Sequence, residues 1–457
     1  MSNQALYSET EDPYVLTGAK IQEPPTQFWG RIKHLGPGFV LSAGIVGSGE
    51  LIATTTLGAE AGFITFWVIL VSCLVKVAIQ LEYGKHAIST GESVMAAFNK
   101  LPGLRMGKAH WSVWAWVGIM TLKILQVGGI VGGVAITLNI AFPDVSITFW
   151  ALAMAVLVSL LVFRGHYKFI EGFSLVLIGL FTLFTFICLA VLQYTSYAIT
   201  WDQVMTGLSF QLPTAAVGVA LAAFGLTGVG GDEITYYNYW CIEKGYAAFT
   251  GPPDGSQGWI RRAKGWTKVM YMDAILSMIV YTLVTAAFYL LGAAVLNSRG
   301  EVPGGYQMIE TLSLMYTEAL GPWAKSIFLI GAVIVLFSTL FTALAAWTRI
   351  FTDAFGQIGW IDFFDLAERK KTLIILSWVF PFLWATFFLF LKIPVMMVLI
   401  GGVLTSILLF VIVYVAIYFR YKRLPQSLAP PVLYDVAFWV SALSILFLGI
   451  YSVIKLL

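Results

Sequence analysis

Two apolar stretches of this chain are interrupted where a bilayer-crossing helix tolerates it least. GIVGSGELIAT, Gly44 to Thr54, and FGLTGVGGDEITYYNYW, Phe224 to Trp240, each place glycines and then carboxylates in mid-run: Glu50 in the first, Asp232 and Glu233 in the second. A carboxylate at membrane depth costs several kcal/mol unless it faces protein or water, and glycine-broken backbone is tolerated there only where it lines a cavity. A matched pair of such segments in two halves of one chain points to the binding site of a secondary transporter.

Composition supports a membrane setting. Hydrophobic residues are 59% and charged residues 11% of 457 positions, against about 45–50% and about 25% in soluble domains. The first 30 residues are polar and acidic, with Glu9, Glu11, Asp12 and Glu23 and no apolar run behind a basic start, so a cytoplasmic tail is expected rather than a cleavable signal. Cys73, Cys188 and Cys241 lie in apolar stretches and read as packing, not disulfides.

Eleven segments are long enough to cross a bilayer, which needs about 20 apolar residues each: 34–60, 63–88, 110–141, 146–163, 168–194, 214–244, 266–296, 322–355, 372–391, 394–420 and 433–455. Between them, 245–265 is rich in Gly and Pro, and in 297–321 the run IETLSLMYTEAL suits a short surface helix. The tail and even-numbered loops hold 21 Lys and Arg, the odd-numbered loops and C-terminus only Arg299, Lys325, Lys392 and Lys455. By the positive-inside rule the N-terminus is inside and the C-terminus outside, in what is read as a bacterial inner (plasma) membrane.

The first and sixth segments are five crossings apart, an odd number, so two units starting at them must be inverted relative to each other. GSGELIAT and GGDEITYY echo locally. The expected fold is therefore all-α and polytopic, leucine-transporter-like, a 5+5 inverted repeat with broken helices 1 and 6 plus an eleventh helix. The expected division is a tail over 1–33 and one transport domain over 34–455, with repeats at 34–194 and 214–420 and the extra helix at 433–455.

Leu35 to Val71, LGPGFVLSAGIVGSGELIATTTLGAEAGFITFWVILV, resembles the first two helices of Nramp divalent-metal transporters. AITLNIAF, Ala135 to Phe142, is similar to the family's third-helix ending, and YNYWCIEKGY, Tyr237 to Tyr246, resembles divergent Nramp-related proteins. Where that family carries Asp-Pro-Gly-Asn, this chain reads Gly47, Ser48, Gly49, Glu50, and near its Met-Pro-His stand Asp232, Glu233 and Ile234. The thioether and imidazole are gone. His34, His86, His110 and His166 all fall near cytoplasmic helix ends.

Carboxylate, carbonyl and water oxygens suit hard cations, and magnesium keeps several waters while using one or two carboxylates. The resemblance thus implies transport of a divalent metal cation as substrate, magnesium first and manganese second, as in the magnesium-transporting branch of the family. The expected metal ligands are Glu50, Asp232 and Glu233, in a cavity walled by Gly47, Ser48, Gly49, Gly230, Gly231 and Thr227. Asp232 is favoured over Glu233, since adjacent helical residues point about 100° apart. Thr227 and Asn238 are further oxygen donors. The third segment holds only Lys123 and Gln126 as polar candidates, so the family's proton relay does not carry over. Inward flux of a dication gains about 4.6 kcal/mol per 100 mV, enough for uptake by alternating access without protons.

Blander readings stand beside these. Glu50 is also placed to cap the second half-helix, and the glycines to let helices pack closely. Lys76, Lys123, Glu82 and Asp273 are expected to pair structurally, and the aromatic run Tyr236 to Trp240 is as suited to packing as to gating. An amino-acid transporter of the same fold is the alternative, opposed by the anion at Glu50. No enzyme constellation, cofactor or nucleic-acid partner is expected. The partners are the metal ion and the lipid bilayer, with the oligomeric state open and a monomer sufficient.

Overall fold

The structure is a computed structural model that describes residues 12–163 and 167–456. Among the expectations above, Glu9, Glu11 and His166 fall outside those residues. Among the described residues, eight helical stretches are long and apolar enough to cross a membrane, with two shorter apolar helices, Ile147–Phe163 and Ile178–Leu192.

The first segment consists of α1, Pro37–Ile45, a π-helical turn over Gly49–Thr54, and α2, Thr55–Ala61. Gly62, at φ +63°, turns the chain into α3, Phe66–Thr90. The third segment is α4, Trp111–Leu122, and α5, Ile124–Ala141, joined at a kink on Lys123. Then come α6, Ile147–Phe163, and α7, Tyr167–Leu192. The sixth segment is α8, Val217–Leu226, and α9, Gly231–Glu243. The remainder is α10, Gln257–Leu291, α11, Met308–Leu320, α12, Ala324–Ile358, α13, Leu366–Leu391, α14, Pro394–Tyr418, and α15, Val432–Leu456.

The region around IETLSLMYTEAL is helical, but it is not a surface helix. α11 buries Met308, Ile309, Leu312, Met315 and Tyr316, and the Tyr316 hydroxyl lies 2.9 Å from Thr185 Oγ1 of α7. An apolar stripe of this width seeks cover, and only its opposite edge, with Glu310, stays exposed.

Close approach of α8 and α14 rests on missing side chains. A Cβ on Gly225 would overlap the Gly402 carbonyl oxygen, and one on Gly402 would overlap that of Ala222. Ser406 Oγ donates to Leu221 O at 2.9 Å across the same contact. Small residues with a hydroxyl bond are how apolar helices associate when lipid offers no hydrophobic contrast.

The polar residues 12–27 lie along one end of the bundle. Asp12 pairs with Arg369 at 2.8 Å, the Tyr14 hydroxyl donates to Glu243 at 2.7 Å, and Trp266 Nε1 donates to Gln22 O at 3.0 Å. Asp273 on α10 caps α1, accepting from the Gly36 and Gly38 amides at 2.9 and 2.5 Å. Glu82 pairs with Lys85 at 2.5 Å and accepts from the Tyr434 hydroxyl at 2.7 Å.

Candidate functional site

The two breaks differ in kind. At the first, α1 stops at Ile45, Val46 turns out of the helix at ψ 75°, and the chain rewinds almost at once into the wide turn from Gly49. At the second, Thr227 is extended, Gly228 adopts φ +63°, and helix resumes only at Gly231. Glycine is needed at 228 twice over: the left-handed region disfavours other residues, and an added Cβ would lie 2.9 Å from Cys73 Cα. The breaks lie close together: a Cβ added at Gly49 would stand 3.1 Å from Leu226 O.

Glu50 is fully buried. Its Oε2 accepts from the Gly47 amide at 3.3 Å, and its Oε1 from Thr285 Oγ1 of α10 at 3.0 Å. A carboxylate reaching back to the amide three residues earlier is one half of a capping box. Glu50 does not line the cavity that holds the other two acids.

That cavity has a volume of about 30 Å³ and lies between α1, α5, α9 and α12. Its wall includes Gly44, Lys123, Gln126, Asp232, Glu233 and Thr342. A water needs roughly 10–15 Å³ measured this way, so the space takes one or two waters or a small ion. It is tighter than the glycine-lined chamber expected for a partly hydrated cation. Contrary to the expectation that only one acid faces the space, both Asp232 and Glu233 border it. Asp232 opens the first turn of α9, where the helix dipole favours an anion.

Lys123 meets Asp232 directly. Its ammonium lies 2.6 Å from Asp232 Oδ2 and donates to Thr405 Oγ1 at 2.6 Å. The Tyr236 hydroxyl donates to the same Oδ2 at 3.1 Å and accepts from Trp347 Nε1 at 2.6 Å. Two buried oxygens at the cavity have no protein partner among the described residues, Asp232 Oδ1 and Gln126 Oε1. A buried acceptor left unbonded costs about 1–3 kcal/mol, so these atoms stand ready for a donor or a cation.

The other expected site residues are not in the lining of this cavity. Gly47 packs on Thr339, Gly230 lies beside Glu233 Oε2, and Gly231 faces Leu408 and Thr405. Ser48 is buried. Thr227 turns its hydroxyl to Ser72 at 2.8 Å, and Asn238 Nδ2 donates to the carbonyls of Tyr83 and Glu92 at 3.4 and 3.3 Å. Among the described residues, no three His, Cys, Asp or Glu converge as a ready-made metal cage. Lys123, Gln126 and Tyr236 were not singled out as site residues by sequence. The available signal was that a lone lysine in an apolar segment needs an anion, and the sixth segment carries two.

The family described as natural resistance-associated macrophage protein-like, Nramp, matches residues 38–455. A divalent metal cation transporter, MntH, from Xanthomonas campestris pv. campestris is 24% identical over 336 residues, 72% of this chain and 69% of its own length. Among solved structures, a variant of the Eremococcus coleocola manganese transporter superposes with a TM-score of 0.55 at 15% identity, covering 95% of this chain and 97% of that one. MhsT in complex with L-phenylalanine gives a TM-score of 0.59 at 15% identity over 95% and 99%. At such identities these structures establish the fold alone, which is leucine-transporter-like. The match over nearly the whole chain decides the family: this integral membrane protein belongs to the Nramp family, whose members are transporters and not enzymes.

Proposed function

We propose that this chain carries a hard divalent cation, magnesium ahead of manganese, into the cytoplasm by alternating access through the cavity at Asp232 and Glu233. Relatives named as divalent metal cation and manganese transporters support a metal substrate. One observation carries the choice of a hard ion: the side-chain atoms of the cavity wall that can coordinate a cation are all oxygens, its nitrogens being the donors of Lys123, Gln126 and Trp347, and the wall has no methionine sulfur or imidazole. Oxygen donors suit magnesium, calcium and manganese, and magnesium is commonly held through one or two carboxylates with water completing its shell.

Lys123 defines the step a cation must accomplish. While its ammonium holds Asp232, the cavity acids carry one compensating charge, and an entering dication competes for the same Oδ2. The Asp232 Oδ1 and Gln126 Oε1 lone pairs are the first contacts on offer. Displaced, Lys123 keeps Thr405 as a partner and remains to repel the ion toward release. Binding is therefore weak and reversible.

The third segment has no acid, so flux runs on the membrane potential alone, with the N-terminus inside and the C-terminus outside as the basic loops indicate. Proteoliposomes of the purified chain, tested with magnesium and manganese reporters and with an amino-acid panel, decide the reading. Saturable metal flux that disappears in Asp232→Asn is the expected result. Amino-acid uptake without metal flux overturns it.

A further inference from the structure

Lys76 is a buried cation that this mechanism leaves unused. It lies on α3 with no exposed surface, and its ammonium donates to the carbonyl oxygens of Phe224 at 2.7 Å and Thr227 at 2.6 Å. Those carbonyls close α8, where the second break has removed the amides that would have bonded them. The Ser72 hydroxyl, one turn earlier on α3, stands 2.9 and 3.0 Å from the same two oxygens and accepts from Thr227 Oγ1 at 2.8 Å. The Phe224 ring centre is 5.1 Å from the ammonium. Among the described residues no carboxylate comes within ion-pairing distance of Lys76, so carbonyls and hydroxyls provide the solvation of this charge.

The end of a half-helix carries about half a negative charge. Unwound carbonyls at such an end, with a hydroxyl beside them, are the donor set that broken-helix transporters offer to an alkali cation. An ammonium presents the same unit charge to the same oxygens, but its four-carbon stem fixes it to α3. It cannot leave.

We propose that Lys76 is a tethered replacement for a monovalent cation at the carbonyl end of the sixth segment. The parent protein then needs no sodium to hold its second break, and shortening Lys76 uncovers a sodium site made by Phe224 O, Thr227 O and Ser72 Oγ. The inference is independent of which substrate the cavity carries.

The test is thermal unfolding of the full chain in detergent, with sodium chloride exchanged for choline chloride at constant ionic strength and no divalent metal present. The parent is expected to melt at the same temperature in both salts. Lys76→Ala is expected to melt lower in choline and to recover by about 2 °C or more as sodium rises to roughly 100 mM, saturably. Lys76→Met keeps the bulk that fills the site and is expected to show the loss without the recovery. A parent that requires sodium, or a folded Lys76→Ala with no sodium-specific recovery, overturns the proposal. Should Lys76→Ala yield no folded protein in either salt, Lys76→Gln, shorter than lysine and uncharged, is titrated in its place and read by the same criterion. Because no divalent metal enters the assay, failure here leaves the substrate reading untouched.

Discussion

Thr285 of α10 donates to Glu50 of the first break, Oγ1 to Oε1 at 3.0 Å, and this bond points the carboxylate at a neighbouring helix instead of at Asp232. Glu50→Gln retains one acceptor and loses one of two bonds, so it is expected to cost about 1–2 kcal/mol in thermal unfolding while magnesium affinity by calorimetry stays within about threefold. Glu50→Ala leaves both donors orphaned and is expected to cost about 2–4 kcal/mol. If Glu50→Gln melts like the parent yet no longer binds metal, the acid belongs to the metal shell after all.

Removing the ammonium from the cavity tests its role as a competitor. In Lys123→Met, Asp232 is buried without its partner, an imbalance of about 3–5 kcal/mol when one member of such a pair is lost. Metal-free Lys123→Met is therefore expected to melt well below the parent, and added magnesium to raise its melting temperature more than it raises the parent's. Equal magnesium shifts in the two proteins would show that Lys123 and the cation do not share Asp232.

Both acids at the start of α9 border the cavity, so both neutral variants are expected to lower magnesium flux. Asp232→Asn should do so by about tenfold or more, because it also strands Lys123. Glu233→Gln, which leaves that pair in place, is expected to lose less. The reverse ranking, at matched reconstitution, would make Glu233 the principal ligand.

Much of this was legible in the sequence, for a physical reason. Glycines next to acids inside apolar runs are too costly to be incidental, so the breaks at Gly47–Gly49 and Gly228–Gly231 could be read directly. Carboxylate direction could not. Glu50 and Asp232 occupy matching positions in the two breaks, yet one finds an amide and a threonine and the other a lysine three segments away in the count. Those partners are set by helix packing, which the one-dimensional pattern does not carry. The α11 helix misled for a related reason, since its polar edge resembles a surface element until α7 and α12 cover the rest.

Glu92 offers a pH test outside the membrane-spanning helices. Burial alone would raise its pKa, but the His86 ring at 3.0 Å, Lys100 and the Arg423 guanidinium at 2.7 Å outweigh that and hold it at about 2. With the folded value below the ordinary 4.5, the stabilisation is fully present above that pH and is lost as pH falls toward about 2. It is on the order of 2–3 kcal/mol. Melting curves are expected to separate parent from Glu92→Gln at pH 6 and to converge near pH 2. A constant gap across that range would show that Glu92 contributes nothing through its charge.

Metal entry is expected to leave the vesicle lumen at constant pH, read with an entrapped pH dye against protein-free vesicles. A proton signal that scales with metal concentration would reveal a relay elsewhere in the chain.

Where Gly225 rests on the Gly402 carbonyl and Gly402 on that of Ala222, two helices meet backbone to backbone. Such a joint has no rotamers to rearrange, and sliding it by one residue brings Cβ atoms where only hydrogen fits. Under the proposed alternating access, α8 and α14 are therefore expected to travel as one rigid piece. The bending is left to the non-helical link of the sixth segment, Thr227 to Gly230, and what reaches Asp232 from that motion is expected to arrive as rotation of α9 about a glycine hinge.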